Sequence, residues 1–420
     1  MSGKEIKSLV PELRFPEFRD AGGWGIAFGS AVFDQVNNKD HNSDLPVLAI
    51  TQEYGAIPRS MIDYHVSVTE KSIESYKVVD VGDFIISLRS FQGGIEFSRY
   101  HGICSPAYVI LRLKNGYAED YFRHYLKTDR FIGQMTKNLE GLRDGKMVSY
   151  KQFSELELPI PLLDEQEKVA GCLSSLDELI VAEIKKLDTL KAHKKGLMQQ
   201  LFPSEGEAVP RLRFPEFHEA EPWKSRPFEK LVVKSFYGTS NSTSDVGKYP
   251  VLRMGNMVDG GLKFSSLAYI DLDVDSFKKI KLVRGDILLN RTNSLDLVGK
   301  VSIFDRDVDC ITASYIVAYR LDENQIIPEF CNFMLNTPQY QKKIRALARP
   351  SVSQANINPT TFKKELAIPL PCRAEQRLIV SCFSFLDEKI AIQIQKVEIL
   401  KSQKRGLIQL LFPVTDAGAV

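Results

Sequence analysis

Two stretches of the chain carry the same apolar stripe. In the first, Val169, Leu173, Leu176, Ile180, Ile184, Leu187, Leu190, Leu197 and Leu201 recur mostly at steps of three and four. In the second, Ile379, Phe383, Leu386, Ile390, Ile394, Val397, Leu400, Leu407 and Leu411 do the same. A near-heptad period of this kind predicts a long helix with one apolar seam. Asp164 with Glu167 reads as a capping pair at the first start, and Pro203 and Pro413 stop both helices. Each runs for about 38 residues, roughly 57 Å at the helical rise. One reading is a core-facing helix in a globular domain. The length and the doubling favour two helices packed on each other. Leu173, Leu176, Ile180, Ile184 and Leu187 are then expected to pack on Phe383, Leu386, Ile390, Ile394 and Val397. Gly196 and Gly406 each cost about 1 kcal/mol inside a helix. Their matched placement points to a close backbone approach, or to inheritance by duplication.

The doubling extends beyond the helices. Pro11-Glu12-Leu13-Arg14-Phe15-Pro16-Glu17-Phe18 returns as Pro210-Arg211-Leu212-Arg213-Phe214-Pro215-Glu216-Phe217, and Trp24 returns as Trp223 at the same spacing. Leu158-Pro159-Ile160-Pro161, Glu165-Gln166 and Leu176-Asp177 return as Ile368-Pro369-Leu370-Pro371, Glu375-Gln376 and Leu386-Asp387. Weaker echoes join Gly82-Asp83-Phe84-Ile85-Ile86 to Gly285-Asp286-Ile287-Leu288-Leu289, and Leu126-Lys127-Thr128 to Leu335-Asn336-Thr337. A repeat this long is a duplicated domain plus helix, not a solenoid unit.

The divergent bodies between the matched motifs read as mixed α+β. Strands are predicted at 46–50, 83–87 and 107–111, with counterparts at 250–253, 286–290 and 314–318. Helices are predicted at 119–139 and 328–348.

Composition narrows the function. Hydrophobic residues make up 44% and charged residues 26%, which argues against a disordered chain. Lys+Arg number 55 against 53 Asp+Glu, so bulk charge neither announces nor excludes a nucleic-acid partner. The N-terminus shows no apolar signal region, and no run suits a membrane helix. The six cysteines form no C-x-x-C pair and read as reduced, mostly buried cytosolic thiols. No phosphate loop, dinucleotide fingerprint or H-E-x-x-H is present. Glu183-x-Lys185 resembles the end of a nuclease metal motif, but its mid-helix setting marks it as a surface coincidence. These absences point to a reader or a scaffold.

The candidate chemistry lies in the bodies. Arg89, Ser90 and Gln92 follow a predicted strand in the first, and Arg291, Thr292 and Asn293 follow the corresponding strand in the second. Arg, Asn and Gln pair bidentately with guanine and adenine edges, and hydroxyls suit phosphates. Arg253, Asn256, Arg349 and Gln354 extend the second set, and Arg143 and Lys146 extend the first. Any one of them alone reads as a solvated loop residue; their equivalent placement in both halves carries the argument.

The L-R-F-P-E-F opening, the P-x-P…E-Q…L-D closing and the G-D-[IF]-[LI] strand together resemble the specificity subunit of type I restriction–modification systems, over nearly the whole chain. The first half lacks a counterpart to Gln354-Ala355-Asn356-Ile357. The resemblance implies two tandem DNA-recognition domains, 1–160 and 204–370. Long spacer helices, 161–203 and 371–413, would form an antiparallel coiled coil. It also implies double-stranded DNA as ligand, each body reading half of a split site. The helices would set the spacing and hold two modification subunits, with restriction (motor-nuclease) subunits beyond them. S-adenosylmethionine, ATP and Mg are then expected on the partners and no cofactor or catalytic residue on this cytoplasmic chain. A coiled-coil adaptor without DNA readout shares the heptads and the duplication. It leaves the Arg/Asn/Gln loops unexplained.

Overall fold

The computed structural model describes residues 9–42, 44–62, 73–137, 148–295, 297–350 and 354–413. Two compact units emerge, Met1–Ile184 with Gln395–Val420 and Lys185–Ile394. The long helices, Leu163–Leu201 and Arg373–Leu411, each contribute one part to each unit. Mixed strands and helices make up the rest, as the α+β reading expects.

Each unit is closed by its repeated motifs. In unit 1, Gly25–Phe28 pairs antiparallel with Glu157–Ile160, the strand that leads into the first long helix. Arg14 of the opening motif forms a bidentate pair with Glu165 in the first turn of that helix, both bonds 2.7 Å. In unit 2, Lys224–Pro227 pairs with Ala367–Leu370, and Arg213 holds Glu375 with two bonds of 2.8 Å. The neighbouring glutamines complete the join. Gln166 donates to the Pro161 carbonyl and accepts the Ala118 N–H; Gln376 does the same with Pro371 and Ile327. The first helix begins at Leu163, so Asp164 lies inside the first turn and not ahead of it.

The bodies share one sheet order. In unit 1 the antiparallel order is Phe33–Val36, Val109–Leu113, Phe84–Ile86, Glu96–Phe97. In unit 2 it is Val232–Tyr237, Ile316–Leu321, Ile287–Asn290, Val301–Ile303. The glycine–aspartate echo has a structural cause. Gly82 and Gly285 take φ of +95° and +92°, where a side chain is strained. Asp83 and Asp286, both buried, then accept a turn N–H and grip Arg112 and Arg320 of the adjacent strand bidentately. Aromatic edge contacts fill the cores, with Phe33 against Phe84, Phe122 and Phe153 in unit 1 and Phe228 against Tyr319 and Phe362 in unit 2.

Each predicted body helix is in fact two. Glu119–Tyr125 is followed by Asp129–Lys137, and Pro328–Leu335 by Pro338–Ala346. The breaks fall at Thr128 and Thr337, whose hydroxyls donate to a carbonyl of the helix just ended and accept an N–H of the next.

Within each unit the helix segments run antiparallel. In unit 1, Asp177 meets Lys404 and Glu183 meets Lys396. In unit 2, Lys194 meets Asp387, and Phe202 stacks on Phe383. The expected match of stripes is therefore displaced. Leu173 shares its core with Leu407, Ile408, Leu411 and Phe412, while Phe383 and Leu386 share theirs with Leu197, Met198, Leu201 and Phe202. One seam position also differs from the expected stripe. Ile394 is 42% exposed and Gln393 is buried, because the step sequence 383, 386, 390, 393, 397 keeps strict heptad phase. Ile180 and Val397 are buried; Leu176, Ile184, Leu187 and Ile390 are half-buried. A Cβ on Gly196 or Gly406 would meet nothing within 4 Å, so neither marks a close approach.

Buried His124 contacts the first helix through Nε2, 3.1 Å from Ser174 Oγ. Its Nδ1 stands 3.9 Å from Asp177, but Lys404 occupies that carboxylate at 2.5 and 2.7 Å. Burial, then the charges of Lys404 and Arg123, push its pKa from 6.5 to about 4 against the pull of Asp177 and Asp120. Folded unit 1 thus holds the ring neutral. As pH falls from about 6.5 toward 4 the unfolded chain takes up the proton first, and stability is lost across that window. Denaturation followed at Trp24 should show this decline, and His124→Gln should flatten it.

Candidate nucleic-acid interface

In unit 2 the loop after Ile287–Asn290 does not leave the fold. Thr292–Asn293, Ala355–Ile357 and Ala348–Pro350 form a small antiparallel sheet, in that order. Register places Thr292, Asn356 and Arg349 in one row. Thr292 donates to Asn356 Oδ1 at 2.6 Å. Strand alternation separates this row from Ala355 and Ile357, which are buried in the core. The row, with Gln354 two positions from Asn356, therefore faces outward. Asn293 pairs with Ala355, on the core-side row, and its Oδ1 accepts the Ser294 N–H at 2.8 Å.

Arg291 precedes this sheet. Its backbone is fixed by Tyr315 and Ile357, and its guanidinium lies 5.7 Å from the Tyr237 ring centroid. The Nε is shut off from solvent and has no hydrogen-bond partner. No carboxylate pairs with this half-buried cation among the described residues. Leaving a desolvated polar group unmet costs about 1–3 kcal/mol, more for a charged one.

The other predicted residues divide. Arg253 is exposed beside Tyr315. Asn256 is buried and used up: it accepts the Arg253 N–H and donates to the Lys263 and Ser265 carbonyls. It is a structural knot, not a surface contact. In unit 1, Arg89 and Gln92 are both exposed at the same turn. Ser90 is buried, and its hydroxyl accepts the Ser87 N–H at 2.7 Å, so it closes the turn and does not face a ligand. Arg143 and Lys146 lie outside the described residues.

Sequence reasoning names Asn356 without its position and misses Lys77 altogether. Asn356 stands within the polar segment after Gln354, but only cross-strand register reveals its row. Buried Lys77 donates to the Tyr108 carbonyl at 2.7 Å, and no carboxylate pairs with it among the described residues. Burial pushes its pKa below the usual lysine value. No pattern in the sequence marks it, since it sits in an ordinary strand.

The profile of the type I restriction modification DNA specificity domain matches the chain twice, at residues 30–192 and 230–402. The putative type I restriction enzyme MjaX specificity subunit of Methanocaldococcus jannaschii is 28% identical over 195 residues. That match spans about half of either chain, 46% of each. The type I restriction enzyme MjaVIII specificity subunit of the same organism is 25% identical over 354 residues, 82% of this chain and 81% of that one. Two solved structures share the fold. One comes from work on complex assembly and conformational transition of the type I R-M system (TM-score 0.58, 16% identity, covering 93% of this chain and 98% of that one). The other is the S subunit of the type I restriction–modification system of M. genitalium (TM-score 0.53, 13% identity, 96% and 99%).

Proposed function

The chain belongs to the type I restriction–modification DNA specificity family in both of its halves, and on that premise we propose that it is the non-catalytic subunit that selects the DNA sequence for a type I restriction–modification complex. Each unit reads one part of a split duplex site. The long helices set the distance between the parts and seat two modification subunits, and restriction subunits join that assembly. S-adenosylmethionine, ATP and Mg serve the partners.

The observation that carries this reading is Arg291. A half-buried guanidinium over the Tyr237 ring, with no ion-pair partner among the described residues, has its terminal nitrogens open to an acceptor outside the chain, while its Nε is shut away. Guanine O6 and N7 supply such an acceptor pair. The adjacent row of Arg349, Asn356 and Thr292 offers further donors and acceptors on an outward face. An adaptor without DNA readout has no use for this arrangement.

Selection of bound sequences from a random duplex pool tests the reading. Arg291→Ala or Arg349→Ala should relax preference within one half-site, by about 1–3 kcal/mol for each bidentate base pairing removed. The other half-site should stay as it is. Wild-type protein that selects no sequence, or variants that lose affinity evenly on every sequence, would refute base reading by this sheet.

A further inference from the structure

Next to the small sheet, unit 2 has a cleft lined by Arg253, Asn256, Lys263, Ser265, Ser266 and Tyr315. The lining is tied together by buried Asn256. Its Oδ1 takes the Arg253 N–H at 2.8 Å, and its amide donates to the carbonyls of Lys263 at 3.0 Å and Ser265 at 3.3 Å. The Lys263 N–H closes the knot on the Asn256 carbonyl at 2.8 Å. Ser266 is held at φ +55°, a conformation side chains rarely adopt, so the lip of the cleft is over-determined. Two cations and three hydroxyl residues line the space and no carboxylate does. Neither cation has an ion-pair partner among the described residues. Tyr315 joins the cleft to the reading surface, because its carbonyl receives the Arg291 N–H.

We infer that this cleft binds one phosphate of the DNA backbone and anchors unit 2 on the duplex irrespective of sequence. The inference rests on the DNA-reading role proposed above. It assigns Arg253 a task different from base recognition. A pair of cations lining one cleft together with hydroxyls suits a phosphate diester, and phosphate contacts fix register without carrying sequence information. Arg253 and Lys263 would hold the strand while Arg291 and Arg349 address the base edges beside it.

The test uses the full-length chain and a random-sequence duplex, with affinity measured across a salt series. Each phosphate contact adds about 0.9 to the slope of log affinity against log salt. Arg253→Gln and Lys263→Gln should each lower affinity on all duplexes in the same proportion and reduce the slope by about that amount. The sequence selected from a random pool should not change. Lys263→Arg, which keeps the charge, should restore the slope, and thermal melting should show the exposed-site variants folded. An unchanged slope in both Gln variants overturns the inference. A changed selected sequence in Arg253→Gln also overturns it and makes Arg253 a base reader. Competition by inorganic phosphate at constant ionic strength, with the slope unaltered, would assign the cleft to a free anion instead. Wild-type protein that fails to bind any duplex removes the DNA-reading role itself. Wild-type binding with unaffected variants removes only the phosphate site.

Discussion

Arg213→Ala is expected to destabilise unit 2 by about 3–5 kcal/mol, because it leaves a buried carboxylate without its partner. Glu375 is 1% exposed and receives two bonds from Arg213 and one, at 3.3 Å, from Trp223 Nε1. Removing the guanidinium also frees the Ala220 and Glu221 carbonyls it caps. Arg14→Ala should act likewise in unit 1, where Glu165 is equally buried. The two tryptophans make the experiment local, since Trp24 lies in unit 1 and Trp223 in unit 2. With Trp24→Phe as background, Arg213→Ala should shift the denaturation followed at Trp223. Replacing both partners by apolar residues of similar volume separates the causes, since removing a buried pair whole is often neutral or stabilising. The unit 1 pair suits that control better, as Trp24 Nε1 makes no bond to Glu165 that such a replacement would break. If Arg213→Ala melts with wild type, the clasp contributes nothing and the repeated motifs need another explanation.

Phe383→Ala should cost about 3–5 kcal/mol, while Phe385→Ala two positions on should cost less than about 1 kcal/mol. Phe383 is 0% exposed, stacked 5.9 Å from Phe202 and tilted 5.1 Å from Phe333. Its removal opens a cavity where the end of the first helix, the start of the second and the body helix Pro328–Leu335 meet. Phe385 is 57% exposed and carries only a Lys389 ammonium 4.7 Å from its ring centroid. Such an exposed cation–π interaction is worth about 0.5–1 kcal/mol. Thermal or chemical denaturation of the two variants checks the contrast. Equal losses would mean that the helix pair is not held by its buried seam.

The candidate site is partly legible in the sequence. Thr292 and Arg349 stand out there as polar residues and share one row, while Arg291, which stands out with them, precedes that row and lies opposite Ile357. Asn293 is legible as a residue type but not as a direction, since alternation turns it to the row of Ala355. Asn256 and Ser90 mislead for a shared reason. A short polar side chain in a turn bonds its own backbone as readily as it faces a ligand. In sequence the two cases look alike.

Periodicity and repetition are local or self-referential properties, and the chain displays them without folding. They determined the duplication, both long helices and the six predicted body strands, a minority of the 24 among the described residues, along with the motifs that carry the family resemblance. What those motifs do was decided by the tertiary structure. Arg14 and Glu165 stand 151 positions apart, and nothing in either segment names the other. The register of the helices was likewise open, because a stripe that repeats every seven residues matches itself after sliding by a heptad. Packing at the helix ends removes that freedom: Phe412 seats among Tyr121 and Tyr125, and Phe202 against Trp223, Phe330 and Phe383. Those ends have one volume to fill, and only one alignment of the seams fills it.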